Sequence, residues 1–140
     1  MLHILKLAVG AKDVADLRRW QAGRIRFAPP LRHQTRSMPR RRDEVIAGGS
    51  LFWVIAGFVQ VRQRILDIIE DTREDGVACC GLVLDPELVP VQARAVKAFQ
   101  GWRYLEPKDA PEDADEATAA QGAEALPEHL MRALREARLI

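Results

Sequence analysis

LRHQTRSMPRRRDEVIAGGSLFWVIAGFVQVRQRILDII, residues 31–69, carries the densest positive charge of the chain, its one Gly-Gly pair and its most apolar run. Arg32, Arg36, Arg40, Arg41 and Arg42 precede Gly48-Gly49, the run Leu51 to Ile55 follows, and Arg62 and Arg64 lie just beyond. Five consecutive apolar residues predict a buried strand. Pro39 suits a first helical position, so Arg40 to Ala47 predicts two helical turns. Gly48-Gly49 ends them, because glycine takes the left-handed conformation at little cost. From Phe58 to Glu70 the apolar positions fit both a strand and a helix. Gly57 as a break and the many β-branched residues favour the strand, with Gln63 intruding on its apolar side.

Outward from this stretch the elements follow in short pieces. Asp75-Gly76 is a turn signal that pairs the preceding strand with Val77 to Leu84 as a hairpin. Asp85-Pro86-Glu87-Leu88 reads as a turn, Val89 to Lys97 as extended, and Ala98 to Leu105 as a last strand. Upstream, Leu31, His33 and Thr35 alternate with Arg32, Gln34 and Arg36, which predicts a short strand. Leu2 to Val9 predicts another, ending at Gly10. Asp13 then caps a helix in which Val14, Leu17, Gln21 and Ile25 share one side, and Pro29-Pro30 stops it.

The segment 106–125 holds no large apolar residue and predicts a flexible acidic linker. In the tail, 126–140, Leu130, Met131, Leu134 and Ala137 fall on one helical face, which would dock on the domain or on a second copy to make a homodimer. The expected architecture is α+β: residues 1–105 form a small bent antiparallel sheet or open β-barrel with two N-terminal helices, followed by the linker and a C-terminal amphipathic helix.

The 140 residues, 48% apolar and 29% charged, are those of one soluble domain with a core of its own. No apolar run approaches the ~20 residues of a membrane helix. The start lacks the basic and apolar regions of a secretory signal, so the expected location is cytoplasmic. Cys79 and Cys80 are neighbours, which is neither a disulfide framework nor metal-ligand spacing. His3, His33 and His129 lie far apart, and Gly48-Gly49 lacks the further glycines and lysine of a phosphate loop. No metal, cofactor or catalytic motif is expected.

A net charge of +1 hides a split: residues 1–105 hold 17 Lys/Arg against 11 Asp/Glu, whereas 106–140 hold 4 against 9. Within 18–64, 11 arginines face only Asp43 and Glu44. Arginine's planar fork suits bidentate contact with phosphate. The leading expectation is therefore non-catalytic binding of RNA or another phosphate-bearing ligand. Arg32, Arg36, Arg40 and Arg41 would contact phosphate, Arg62 and Arg64 would flank them, and His33 and Trp53 would add specificity. Trp102 and Tyr104 offer further stacking faces. Against this stand a basic face merely solvated or neutralised by the acidic segment, a small hydrolase using Thr35 or Ser50 with Glu44, and a protein-interaction module using Phe99 to Leu105.

Through HQTRSMPRRRDEVIAGGSLFWVIAGFVQVRQRI, DPELV and FQGWRYL the chain resembles a family of short, uncharacterised alphaproteobacterial proteins. The likeness covers most of residues 1–111 and leaves out the acidic segment and the tail. The family pattern has lysine where this chain has Ala56. The order of helix, glycine turn, apolar strand, hairpin and closing strand is also similar to the PUA-like folds, which include RNA-binding modules and the ASCH group. That second likeness implies an RNA-binding or ASCH-like hydrolytic scaffold.

Overall fold

The computed structural model describes residues 1–114. Its elements run β1 (His3–Leu7), α1 (Val14–Phe27), β2 (Arg32–Thr35), α2 (Arg42–Ile46), β3 (Ser50–Ile55), β4 (Phe58–Thr72), β5 (Ala78–Leu84), β6 (Val89–Ala95) and β7 (Trp102–Leu105), then a 3-10 turn at Pro107–Asp109. The strands form one sheet in the order β2-β5-β4-β3-β1-β7, with β6 also paired to β4. The sheet curls into a half-barrel whose outermost strands are β2 and β7.

Strand β4 organises the curl. Its first half, Phe58 to Arg62, pairs with β6, and its second half, Ile65 to Thr72, pairs with β5. Along the first half it also pairs with β3, from Ser50↔Arg64 to Ile55↔Phe58. Irregularities in register near Trp53/Val54, Val59/Val61 and Ile65/Asp67 add twist at the points where partners change. The strand reading of residues 58–70 holds.

Strand β3 is buried along its whole length because both of its faces are covered. Leu51, Trp53 and Ile55 join Ile4, Leu17, Val45, Ile65 and Leu82 in the core inside the curl. Phe52 and Val54 join Leu5, Val59, Val91 and Leu105 in a second core behind it. That is the physical source of the unbroken apolar run, as expected for a central strand.

The expected architecture is overturned. Among the described residues 43% are strand and 19% helix, and there are two α-helices, one of them the five-residue α2. The described residues form a mostly-β half-barrel rather than the expected α+β PUA-like barrel, and of the two expected N-terminal helices the second is little more than one turn. The sheet is also mixed: β1 runs parallel to β3, Ile4↔Leu51 to Leu7↔Val54, while its other neighbour β7 is antiparallel. Helix α2 is short because Arg41 at its N-cap supplies no side-chain cap and Gly48, at φ +101°, turns the chain away at once. Gly49 then lies so close to Leu2 and Val45 that an added Cβ would fall 2.0 Å from the Leu2 carbonyl oxygen. This contact places the start of β3 beside β1, which sequence periodicity does not encode. The expected C-terminal helix, 126–140, lies outside the described residues.

Helix α1 follows expectation. Asp13 accepts from the Asp16 N–H at 2.8 Å as N-cap, and Leu17 and Gln21 are buried. Ile25, expected on the same side, is largely exposed. The start of the acidic segment is laid on the domain rather than leaving it: Val91 and Asp113 form a β-bridge, Gln92 N–H donates to Glu112 O at 2.9 Å, and Ala110 packs on the second core.

Candidate anion-binding cleft

The arginines of the central stretch do not gather around one concavity. Arg32 is bonded to Asp71 and donates to the carbonyls of Ala28 and Pro30 at 3.2 and 3.1 Å. Together with Gln34 and the Thr72 N–H it holds the Asp71 carboxyl down at about 2. Arg41 grips both Glu44 oxygens at 2.5 and 2.8 Å, and its guanidinium lies 5.5 Å from the Tyr104 ring. Arg42 donates to Ile68 O at 2.9 Å and Asp67 at 2.7 Å. Arg62 holds Asp113 through two bonds of 2.7 Å and reaches Ser50 Oγ at 3.1 Å. Arg40, in the turn before α2, and Arg64, on β4, are exposed and apart in the fold. Arg32, Arg41, Arg42 and Arg62 thus act as latches between segments distant in sequence.

A different set converges. Lys6, Trp53 and Trp102 occupy one row across β3, β1 and β7, in the register Lys6↔Trp53 and Lys6↔Trp102. His33, on the inward-facing side of β2, meets Trp53 edge-on with ring centroids 5.3 Å apart and planes at 86°. Two adjoining cavities share Lys6 and His33. One, of about 390 Å³, lies where the half-barrel fails to close, between His33–Ser37 on the β2 side and Gly101-Trp102 on the β7 side, and includes Arg36. The other, of about 230 Å³, lies under α1 and includes Arg24, Trp20, Trp53 and Leu84. Neither lining contains an acidic residue. A wider outer groove of about 970 Å³ borders β2 and also reaches His33; in it Arg24, Arg32 and Arg36 lie with Glu74 and Asp75 of the hairpin tip.

His33 is the most perturbed group in this cleft. Burial first, then the charges of Lys6 and Arg24, push its pKa down to about 4, so the ring is neutral at physiological pH. Its Nε2 is buried with no hydrogen-bond partner. A buried polar atom without a partner is uncommon, because it forfeits its bond to water. Lys6 is partly desolvated, which lowers its pKa, and its Nζ donates only to Leu7 O at 3.2 Å. Among the described residues Lys6, Arg24 and Arg36 form no ion pair. Arg24 and Arg36 border Glu74 and Asp75 in the wider groove without pairing with them, so the three cations leave a positive field at the cleft that favours an anion from outside.

The floor of the cleft is held by a polar network. Trp53 Nε1 donates to Gln63 Oε1 at 2.8 Å, and Gln63 and Gln21 exchange two bonds of 2.7 Å. Gln63 Nε2 also donates to Asp85 O at 3.0 Å. The polar residue that spoils the apolar side of β4 is thus fully satisfied, and it fixes α1, which carries Arg24 one turn beyond Gln21.

Of the expected site residues, the cleft brings together His33, Arg36 and Trp53, with Arg32 at its edge. Lys6 and Arg24 were missed. A lone lysine in the otherwise apolar run Ile4 to Val9 was the available signal. Thr35 and Glu44, the hydrolase pair, are engaged apart: Thr35 Oγ1 lies 3.0 Å from Cys80 Sγ, and Glu44 is held by Arg41. Cys79 points the other way, onto the outer groove. Among the described residues no three His, Cys, Asp or Glu side chains gather as metal ligands, and no helix is long and apolar enough to cross a membrane.

The family described as "Protein of unknown function (DUF1489)" matches residues 4–140. The chain belongs to the DUF1489 family. The match runs to the last residue, so the acidic segment and tail, expected to lie outside the likeness, are part of the family's extent. No curated protein and no solved structure matches the chain. In this DUF1489 member the whole lining of the cleft lies within the matched residues 4–140.

Proposed function

We propose that the cleft at the open side of the half-barrel binds a phosphate-bearing ligand without transforming it, in a cytoplasmic setting where such ligands and RNA are at hand. The observation that carries this reading is the company His33 keeps. A neutral imidazole with an unpartnered buried nitrogen stands among Lys6, Arg24 and Arg36, in two cavities whose linings contain no acidic side chain. Lys6, Arg24 and Arg36 supply charge. The neutral ring offers one N–H and one lone pair, suited to a phosphate oxygen and a hydroxyl. The paired state of Arg41 and Arg62 favours a compact ligand, or the end of a strand, over a long backbone tracked by many arginines.

The test follows the His33 ring by NMR while inorganic phosphate or a short RNA is added. Binding should shift the His33 resonances. Lys6→Ala and Arg36→Glu should each weaken it by about tenfold, the scale of one charge-assisted hydrogen bond, and Arg64→Glu should leave it unchanged. RNA binding should also weaken steeply with salt. No shift at His33 with either ligand rejects the proposal.

A further inference from the structure

We infer that the ligand is a nucleotide, its base seated under α1 between Trp20 and Trp53 and its phosphate in the gap between β2 and β7. This rests on the phosphate reading of the same cleft and specifies the other half of the molecule. The two cavities joined at Lys6 and His33 differ in chemistry. The smaller is walled by Leu17, Trp20, Trp53 and Leu84 with Lys6, Arg24 and Arg32 among them, and Gln21 is taken up by its bonds with Gln63. The larger is walled by Lys6, Arg36, Ser37 and Thr35. A compartment bearing two indoles, joined at Lys6 and His33 to one bearing Arg36 and two hydroxyls, matches a flat ring joined to a phosphate. At about 230 Å³ the smaller compartment falls below the ~300–1,000 Å³ usual for a whole ligand site, and the adjoining 390 Å³ brings the pair within it.

Trp20 supports the ring assignment. It is 43% exposed, so much of the indole surface is open to a ligand. Its ring stands over Gly10, where an added Cβ would come within 3.3 Å of it. One helical turn on, Arg24 lines the same compartment, so an indole face and a guanidinium are presented together. Tryptophan and arginine planes are sequence-tolerant platforms for bases.

Isothermal titration with a nucleoside 5′-monophosphate, ribose 5-phosphate and a short 5′-phosphorylated RNA separates the outcomes. The nucleotide should bind at least about tenfold more tightly than ribose 5-phosphate, and Trp20→Ala should remove about that factor for the nucleotide alone. Because Trp20 lies outside both buried cores, the variant should keep its fold, as circular dichroism would check. A free nucleotide binding as tightly as the RNA names the monomer as ligand; tighter RNA binding, still lost in Trp20→Ala, names a strand end. Equal affinity for ribose 5-phosphate and nucleotide overturns the base assignment and leaves the phosphate proposal standing. Failure of all three ligands overturns both.

Discussion

Gln21 and Gln63, 42 residues apart in sequence, face each other in the core and exchange two hydrogen bonds of 2.7 Å. Gln63 is completely buried, so loss of its partner leaves donors and acceptors that water cannot reach. Gln21→Ala should destabilise the domain by about 1–3 kcal/mol, the cost of an unsatisfied buried polar group. Chemical denaturation would show it as a lower midpoint. The same variant should weaken ligand binding, because α1 carries Arg24 and Trp20.

Gly49→Ala should be far worse. Its Cβ would stand 2.0 Å from Leu2 O and 2.5 Å from Val45 O, backbone atoms that cannot swing aside. Relief requires the backbone at Leu2, before β1, and at Val45, in α2, to move off the start of β3, so a loss on the order of 3–5 kcal/mol is expected, among the largest single-residue effects. Thermal unfolding of Gly49→Ala beside the milder Gly76→Ala, which meets nothing within 4 Å, would check this.

Asp71 makes stability depend on acid. Its pKa lies at about 2, below the ordinary 3.8, first because Arg32 bonds its charged form and then because Gln34 and the Thr72 N–H do. A depressed folded-state pKa contributes stability that is fully present above the unfolded value and is lost as pH falls through the folded one. Wild type should therefore lose stability between pH 4 and 2, and Asp71→Asn should flatten the curve there. An unchanged acid limb would contradict the latch.

His33 works in a higher window by the same linkage. With its pKa near 4 against an ordinary 6.5, the unfolded chain binds a proton that the folded one refuses between those values. Stability from this group is complete above pH 6.5 and declines toward pH 4. The ring should remain neutral in NMR spectra at pH 6. Bound phosphate should raise its titration point, since an anion offsets the charges of Lys6 and Arg24.

The sequence disclosed local features and concealed distant ones. Asp13 as a cap, Pro29-Pro30 as a stop, the strand over residues 58–70 and the turn at Asp75-Gly76 are decided within a few residues, where capping and periodicity act. The parallel pairing of β1 with β3 depends on a close approach between Leu2 and Gly49, and no period reports it. Arginine density did not foretell which arginines line the candidate cleft, for a related reason. Arg32 and Arg62 find their carboxylates 39 and 51 positions away, so local charge counts left them unpaired on paper only. His33 and Trp53 were legible because a strand alternates and a central strand is apolar. Lys6 and Arg24 were not, because their association requires the sheet to curl.

Phe52 and Trp53 are successive residues of β3, yet each belongs to a different core. A single peptide unit therefore separates the pocket-bearing interior from the layer on which residues 106–114 rest. If the proposed ligand binds in the interior, substitutions at Val91 or Ala110, on the other face of β3, are expected to alter its affinity through that single strand.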